Sequence, residues 1–183
     1  MRYLLDTCVL SEMVKSTPDA NVIRWFEARK PHELYISAMT WGELQRGVAR
    51  LPQSKRRSEL TVWLEQLKAG FEDRILAFDQ QASEVWAQMT VLSEAQGKSM
   101  AAFDSIIAAT ARAYDCKLVT RNVRDFAHAD IDVLAQLPQL GRQLRPVLRF
   151  RRQQRVGLRQ HRQQLHERVV RLPVAVDAKL FEL

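Results

Sequence analysis

The chain starts with Arg2-Tyr3-Leu4-Leu5-Asp6, a short apolar run that ends in a carboxylate. Runs of this kind are typical of strands buried in a parallel sheet. Similar runs follow at Leu34-Tyr35-Ile36, Ile75-Leu76-Ala77-Phe78 and Lys117-Leu118-Val119-Thr120, with a candidate fifth strand at Ile131 to Leu134. Because helical segments alternate with them, the order predicts a three-layer α/β/α fold with a short, mainly parallel central sheet.

Helix signals fill the intervals between these strands. Ser, Thr or Asp at the starts and apolar residues three or four apart support five helices. They are expected from Thr17 or Asp19 to about Arg29, from Ser37 or Thr40 to about Arg50, from Lys55 to Ala69, from Asp79 to about Gln96, and around Phe103 to Tyr114. In the third of these, Gly70 is expected to terminate the helix.

The net charge of +7 is concentrated near the C-terminus. Residues 139–183 hold 11 basic and 3 acidic residues, whereas residues 1–138 hold 17 and 18. Gln and Arg dominate beyond residue 138, and no strand alternation is present there. We therefore expect a domain at residues 1–137 and a basic, largely disordered extension at residues 138–183. The basicity of the extension does not by itself predict that the body binds nucleic acid.

Several classes of protein are disfavoured by composition. No apolar run approaches the roughly 20 residues that span a bilayer, so we expect a cytoplasmic protein without membrane contact. Cys8 and Cys116 lack companion thiols or histidines at metal-ligand spacing and are expected to be small buried residues. The sequence contains no Gly-x-Ser-x-Gly elbow, no P-loop lysine motif and no plausible catalytic Cys/His pair.

Acidic and amide side chains fall where apolar runs end or helices begin, namely at Asp6, Glu43, Asp104, Asn122 and Asp125. Open α/β sheets build their sites at such strand ends. Oxygen ligands suit Mg²⁺ and Mn²⁺. Two carboxylates about 4 Å apart repel by on the order of 4 kcal/mol at an effective dielectric near 20, so an empty cluster should attract a cation. A bound metal can activate water and stabilise a phosphodiester transition state.

Each of these positions also has an ordinary structural interpretation. Asp6 could cap the turn that follows it, and Glu43 alone would be a helix-surface acid. Asn122 and Asp125 could cap their own short turn. Asp104 favours a functional site more strongly, because a buried, unpaired carboxylate between apolar residues is costly.

Four ordered segments together resemble the PIN-domain family, in particular the VapC-like toxin ribonucleases of bacterial toxin-antitoxin pairs. The resemblance covers most of residues 1–135. The segments are Tyr3-Leu4-Leu5-Asp6-Thr7-Cys8-Val9-Leu10-Ser11-Glu12, Ser37-Ala38-Met39-Thr40-Trp41-Gly42-Glu43-Leu44-Gln45-Arg46-Gly47, Asp104-Ser105-Ile106-Ile107-Ala108-Ala109-Thr110-Ala111 and Leu118-Val119-Thr120-Arg121-Asn122-Val123-Arg124-Asp125-Phe126.

The resemblance implies roles for particular residues. Asp6 and Asp104 would be direct metal ligands, and Glu43 would hold water or a second ion. Thr7 and Thr120 would support the site through their hydroxyls. The catalytic set that the resemblance implies comprises Asp6, Glu43, Asp104 and Asn122.

Two positions depart from the family's pattern. Asn122 stands where many relatives carry aspartate, and the resemblance implies that its amide contacts a metal-bound water. Cys8 stands where relatives often carry asparagine, which would remove a polar group beside the metal ligands. Reduced rather than abolished activity is expected from the replacement at Cys8, and Asp125 could substitute at the Asn122 position, although it resembles a local cap more.

By the same resemblance, the expected activity is a metal-dependent endoribonuclease that uses Mg²⁺, or alternatively Mn²⁺, and acts as a toxin. Its partners would be RNA, a cognate antitoxin in the acidic cleft and a second copy in a homodimer. Basic residues that could contact the RNA backbone are Lys15, Arg46, Arg121 and Arg124. The helix stripe of Leu60, Trp63, Leu64 and Leu67 could serve the dimer or the core equally well.

Two other functions are compatible with the sequence. A catalytically weakened PIN-like module could act with an antitoxin in an operator-binding complex, given Cys8 and Asn122. Alternatively, the basic extension could make the chain an RNA-binding protein whose body is not an enzyme.

Overall fold

A five-stranded, all-parallel sheet forms the centre of the part of the chain that the structure describes. The structure is a computed structural model, and it describes residues 1–127, 129 and 131–134. The strands are arranged in the order β3-β2-β1-β4-β5. They are β1 (Tyr3–Leu5), β2 (Leu34–Ser37), β3 (Ile75–Leu76), β4 (Lys117–Val119) and β5 (Val133–Leu134). The predicted short, parallel sheet is confirmed.

Helices connect the strands of the sheet. The α-helices are α1 (Thr7–Leu10), α2 (Ala20–Glu27), α3 (Ala38–Ala49), α4 (Lys55–Phe71), α5 (Gln80–Ala95) and α6 (Ala102–Ala113). Single 3₁₀ turns lie at Ser11–Val14, Pro31–Glu33, Glu72–Arg74 and Val123–Phe126. The side chains of Asp19, Ser37 and Asp79 accept backbone N–H groups and thereby cap α2, α3 and α5, as their positions in the sequence predict.

The strands bury alternate side chains on opposite faces, because successive residues of a strand point in opposite directions. In β1, Tyr3 and Leu5 belong to one apolar core, with the buried residues of α2, α3 and α4, whereas Leu4 belongs to a second core with those of α5 and α6. Val119 and Leu118 of β4 divide in the same way. Two cores on one sheet make the three-layer α/β/α architecture that the sequence predicts.

The longest helix, α4, differs from its sequence prediction at its end. It runs through Gly70 to Phe71, whose side chain is buried, and the positive φ of 23° falls on Glu72 rather than on the glycine. Arg74 stabilises this exit by donating hydrogen bonds to the carbonyls of Gly70, Pro31 and Leu34. Burial of Phe71 therefore extends the helix past the residue that was expected to stop it.

The apolar stripe on α4 lies inside the subunit. Trp63, Leu64 and Leu67 are buried in the first core, and Leu60 packs against it. The core interpretation of this stripe is confirmed, so the stripe is not available as a subunit contact.

The remaining differences are local. Helix α1 was not predicted, and β3 ends at Leu76, which leaves Phe78 exposed. Among the described residues, no helix combines the length and apolarity needed to cross a bilayer. The predicted extension at residues 138–183, and the domain boundary at residue 137, lie outside the described residues.

Candidate functional site

The register of two neighbouring strands places Asp6 beside Thr120. Leu5 at the end of β1 pairs with Val119 at the end of β4, and the Asp6 N–H donates to the Val119 carbonyl over 3.1 Å. The next residues along the two parallel strands therefore leave the sheet side by side. Thr120 Oγ1 donates to Asp6 Oδ2 over 2.6 Å, and both side chains are buried. The strand-end site predicted for Asp6 starts from this contact.

Asp6 occupies the position before helix α1, but its side chain does not cap that helix. Its main-chain carbonyl accepts the N–H groups of Val9 and Leu10, whereas its carboxylate accepts no helical N–H. The carboxylate instead accepts hydrogen bonds from side chains, including that of Thr7, whose Oγ1 lies 3.1 Å from Asp6 Oδ1. The capping alternative for the Asp6 side chain is therefore wrong, and the hydroxyl contacts expected of Thr7 and Thr120 are present.

Cys8 also contacts this carboxylate, which corrects its interpretation as a small buried residue. The Cys8 thiol is 3.1 Å from Asp6 Oδ2 and 3.5 Å from Thr120 Oγ1, and it accepts the Arg121 N–H over 3.3 Å. Burial and the neighbouring Asp6 charge raise the pKa of the Cys8 thiol, so it stays protonated and donates to Asp6. A polar contact to Asp6 is thus retained although the side chain is not an amide.

Helix α3 positions Glu43 toward the same carboxylate. Ser37 fixes the start of the helix, because its Oγ accepts the Thr40 N–H over 2.9 Å. Partial burial raises the pKa of Glu43, and the charges of Asp6 and Asp104 raise it further against a lowering effect of Arg46. The charges of two other predicted acids, Asp6 and Asp104, thus act on Glu43.

Asp104 lies in the first turn of α6 and is partly buried. Burial raises the pKa of Asp104, and the charges of Asp125 and Asp6 raise it further. The carboxyls of Asp6, Glu43, Asp104 and Asp125 therefore form one electrostatic cluster, which we call the acid cluster. Such a group of like charges favours bound cations or protons.

Asn122 is linked to the acid cluster through its backbone. Its N–H donates to Thr120 Oγ1 over 3.0 Å, while its exposed side chain makes no capping hydrogen bond to the 3₁₀ turn that follows. This N–H completes the hydrogen bonding of Thr120, which donates to Asp6 at the same time. Asn122 thus helps to orient Asp6 whatever its amide contacts.

The donor set of the acid cluster fits a hard divalent cation. Within residues 1–127, 129 and 131–134, no three His, Cys, Asp or Glu side chains lie close enough to form a ready-made metal cage. Mg²⁺, however, is usually held by one or two carboxylates, and water and substrate phosphate complete its coordination. Carboxylate oxygens that repel one another, with Asp6 oriented by Thr7 and Thr120, match a hydrated site of that kind.

Sequence reasoning assigned no role to Glu12, a buried acid that pairs with Arg121, the residue after Thr120. Its side chain is buried in the 3₁₀ turn that follows α1 and pairs with Lys15 and Arg121. Burial opposes ionisation, but the Lys15 hydrogen bond, the Asp19 N–H and the Arg121 charge together lower the pKa of Glu12. The argument made for Asp104, a carboxylate within an apolar stretch, applies equally to Glu12 and could have identified it.

Comparison with known proteins gives this arrangement a family. The sequence profile of the PIN domain matches residues 3–132, which include every member of the acid cluster. This chain belongs to the PIN domain family. The family resemblance drawn from the four sequence segments is thereby confirmed.

Relatives within the PIN domain family include two curated proteins that align over most of their own length. Toxin FitB of Neisseria gonorrhoeae is 37% identical over 71% of this chain and 94% of its own sequence. VapC ribonuclease Y4jK of Sinorhizobium fredii is 36% identical, over 72% and 94% respectively.

A solved structure supports the PIN fold independently of the sequence profile. The structure of FitAB bound to an IR36 DNA fragment superposes with a TM-score of 0.68 at 36% identity, and the match covers 72% of this chain and 92% of that chain. PIN-domain ribonucleases generally use divalent metal ions. The acid cluster supplies the ligand type that such ions prefer.

Proposed function

We propose that this chain is a metal-dependent endoribonuclease that hydrolyses RNA phosphodiester bonds at the acid cluster. The observation that carries the proposal is the Asp6 carboxylate, oriented by Thr120 and Thr7 and close enough to Glu43 to raise its pKa. The name of the relative Y4jK, a VapC ribonuclease, supports the same reaction.

Each acid of the cluster would have a separate role in hydrolysis. Asp6 and Asp104 would hold Mg²⁺, with Mn²⁺ as an alternative, and the ion would supply a nucleophilic water and neutralise charge on the phosphate. Glu43, whose pKa is raised by burial and by the charges of Asp6 and Asp104, would take a proton from that water. Asn122 would position a water through its amide. No nucleophilic side chain takes part.

The hydrogen bonds donated to Asp6 hold its carboxylate group in one orientation. Thr7 donates to one carboxylate oxygen, and Thr120 and Cys8 donate to the other. Donors of this kind fix the orientation of a metal ligand, and their removal typically weakens metal binding or activity about 10- to 100-fold. The buried framework of β1 and β4 therefore serves the reaction by preventing rotation of Asp6.

In the cell the chain would act as the toxin of a toxin-antitoxin pair, and the name of its relative Toxin FitB supports this role. A groove of about 280 Å³ is lined by Thr7 and Glu43 and by apolar side chains of α3 and α4, including Leu44, Val48 and Trp63. It suits an antitoxin segment that is apolar along its length and cationic at the end nearest Glu43. Such a segment would cover the acid cluster and neutralise it.

We further propose a cytoplasmic homodimer. Since the α4 stripe is buried in the core, the contact must use other apolar groups. Val91 and Leu92 on α5 and Phe103 on α6 are exposed large apolar residues. Their burial against a second copy would remove them from water.

The experiment for the main proposal uses the full chain, RNA and either Mg²⁺ or Mn²⁺. Cleavage should require the metal, stop with a chelator and fall by at least about 100-fold in Asp6→Asn, because this change removes a ligand charge. Asp73→Asn is the matched control, since its carboxylate is exposed outside the acid cluster. Cleavage that persists in Asp6→Asn or in chelator would refute the proposal.

A second candidate is a weakened PIN module that acts only in a DNA-bound regulatory complex. It is favoured by the replacements at Cys8 and Asn122 and by the FitAB structure, which contains DNA. Against it stands the thiol contact to Asp6, which retains a polar donor. No cleavage at any metal concentration would favour the module.

A further inference from the structure

The buried carboxylate of Glu12 forms ion pairs with Lys15 and Arg121. Its side chain is only 2% exposed, and Lys15 Nζ and Arg121 Nη1 each lie 2.5 Å from Oε1. The Asp19 N–H donates to Oε2 over 3.1 Å. This set links the 3₁₀ turn after α1, the start of α2 and the loop after β4.

The positive groups of this set are more accessible than its carboxylate. One carboxylate faces one guanidinium and one ammonium. The negative group is hidden, whereas the side chains of Arg121 and Lys15 are 40% and 46% exposed. An approaching ligand therefore meets the positive groups of the set and not its carboxylate.

Arg121 is fixed directly beside the acid cluster. It follows Thr120, the donor to Asp6, and its N–H donates to the Cys8 sulfur, which in turn contacts Asp6. A guanidinium has five N–H donors in a planar fork, so the Nη1 contact with Glu12 sets its orientation and leaves donors for an anion.

An RNA substrate would require a cationic side chain beside the acid cluster. A strand that enters the site brings several phosphates close to four carboxyls, and only those at the metal are neutralised by it. A cation held next to the acid cluster offsets the repulsion of a neighbouring phosphate.

We propose that Glu12 is a positioning residue that holds Arg121, with Lys15, as a binding site for an RNA backbone phosphate adjacent to the bond that is cut. The proposal rests on the proposed ribonuclease function and adds to it the contact that aligns the strand. Glu12 touches neither metal nor RNA and acts only through Arg121 and Lys15.

The first test compares Arg121→Ala with Arg24→Ala, which removes an exposed arginine from α2. Steady-state cleavage gives KM and kcat, and anisotropy with a single-stranded RNA oligonucleotide in an Asp104→Asn background gives the salt dependence of binding. Arg121→Ala should raise KM about three- to tenfold, leave kcat within about threefold, and reduce the slope of log K against log salt by about 0.7. Arg24→Ala should change none of these, and the basic extension is common to all variants.

The second test separates positioning from bulk charge. Glu12→Gln removes a negative charge, so simple electrostatics predicts tighter RNA binding and a lower KM. Positioning predicts the opposite, a higher KM, because the guanidinium is no longer held. If Glu12→Gln lacks a cooperative thermal transition, Arg121→Lys decides: it keeps the charge and the salt slope but should raise KM about two- to fivefold, because an ammonium lacks the planar fork.

The outcomes distinguish this inference from the ribonuclease proposal. Wild-type cleavage together with unchanged KM and salt slope in Arg121→Ala would overturn the phosphate site and leave the nuclease standing. A reduced slope in Arg121→Ala without any wild-type cleavage would support the phosphate site and overturn the nuclease. A lowered KM in folded Glu12→Gln would overturn the positioning role.

Discussion

Thr120 donates a hydrogen bond of 2.6 Å to Asp6 Oδ2, which joins two buried side chains that are 114 residues apart in sequence. The contact exists because Leu5 and Val119 are paired in adjacent parallel strands. The register of the sheet thereby determines the orientation of the Asp6 carboxylate. The predictions for the site depend on this hydrogen bond.

Replacing Thr120 tests this hydrogen bond directly. Thr120→Val keeps the shape and removes the hydroxyl, so the Asp6 carboxylate loses a donor and the Asn122 N–H loses an acceptor. We expect Mn²⁺ affinity, measured by calorimetry, to fall about 10- to 100-fold. Thr120→Ser keeps the hydroxyl and should remain within about threefold of wild type. Equal affinities for the Val and Ser variants would show that the hydroxyl does not support metal binding.

The acid cluster predicts how stability depends on pH. Burial and neighbouring acids raise the pKa of Glu43 and of Asp104 above their ordinary values of 4.5 and 3.8. Both groups therefore bind protons more tightly in the folded protein than in the unfolded chain. Their contribution to the free energy of unfolding is present at low pH and is lost as the pH rises through the raised folded pKa values.

Urea unfolding in the presence of chelator, repeated across this pH range, measures the effect. Glu43→Gln should weaken the decline in stability with rising pH, since one titrating group is removed. Saturating Mg²⁺ should weaken it as well, because the cation offsets the carboxylate charges. A wild-type protein and a Glu43→Gln variant with the same pH dependence would contradict the coupling of Glu43 to the cluster.

Cys8 variants test whether the thiol serves as a donor. Cys8→Ala removes the contacts to Asp6 and to the Arg121 N–H, whereas Cys8→Ser preserves a donor and an acceptor of similar size. Because a thiol is a weak donor, we expect kcat/KM to fall only about three- to tenfold in Cys8→Ala and less in Cys8→Ser. Full activity in Cys8→Ala would mean that Thr7 and Thr120 orient Asp6 without help from the thiol.

Substitutions in helix α4 test how much the first core, which also lines the groove beside Glu43, contributes to stability. Leu67 is 4% exposed within the first core, while Val62 on the same helix is 49% exposed. Leu67→Ala should lower the free energy of unfolding by about 2–5 kcal/mol, since it removes buried methyl groups and leaves a cavity. Val62→Ala should change it by less than about 0.5 kcal/mol. Denaturant titration of both variants provides the comparison.

The strand and helix pattern could be predicted from the sequence because it depends on local order. Apolar runs such as that at Leu4 and Leu5 form strands, and caps such as Ser37 and Asp79 begin helices, whatever lies elsewhere in the chain. The end of α4 could not be predicted in this way. Gly70 is a common helix terminator, but burial of Phe71 in a core built from other segments outweighed the local preference.

In the candidate site, too, the sequence predicted some features and only the folded structure decided others. The sequence singled out Asp6, Glu43 and Asp104 by their positions at strand and helix ends, but it left the capping alternative for Asp6 open. Only the folded chain shows that the Asp6 carboxylate accepts bonds from side chains and not from helix α1. The apolar setting of Glu12 could have been noticed in the sequence, but its pairing with Arg121 could not, because the two residues are distant in sequence.

The sequence by itself determined the five strands, the main helices and the acids at the ends of these elements, because propensity, capping and hydrophobic period act over a few residues. The family followed from the resemblance of four sequence segments and from the profile match. Tertiary structure decided which of those acids face one another, which side chains orient Asp6, and which cations hold Glu12. Those relationships depend on strand register and on contacts between residues more than 100 positions apart, such as Asp6 with Thr120, which no local pattern encodes.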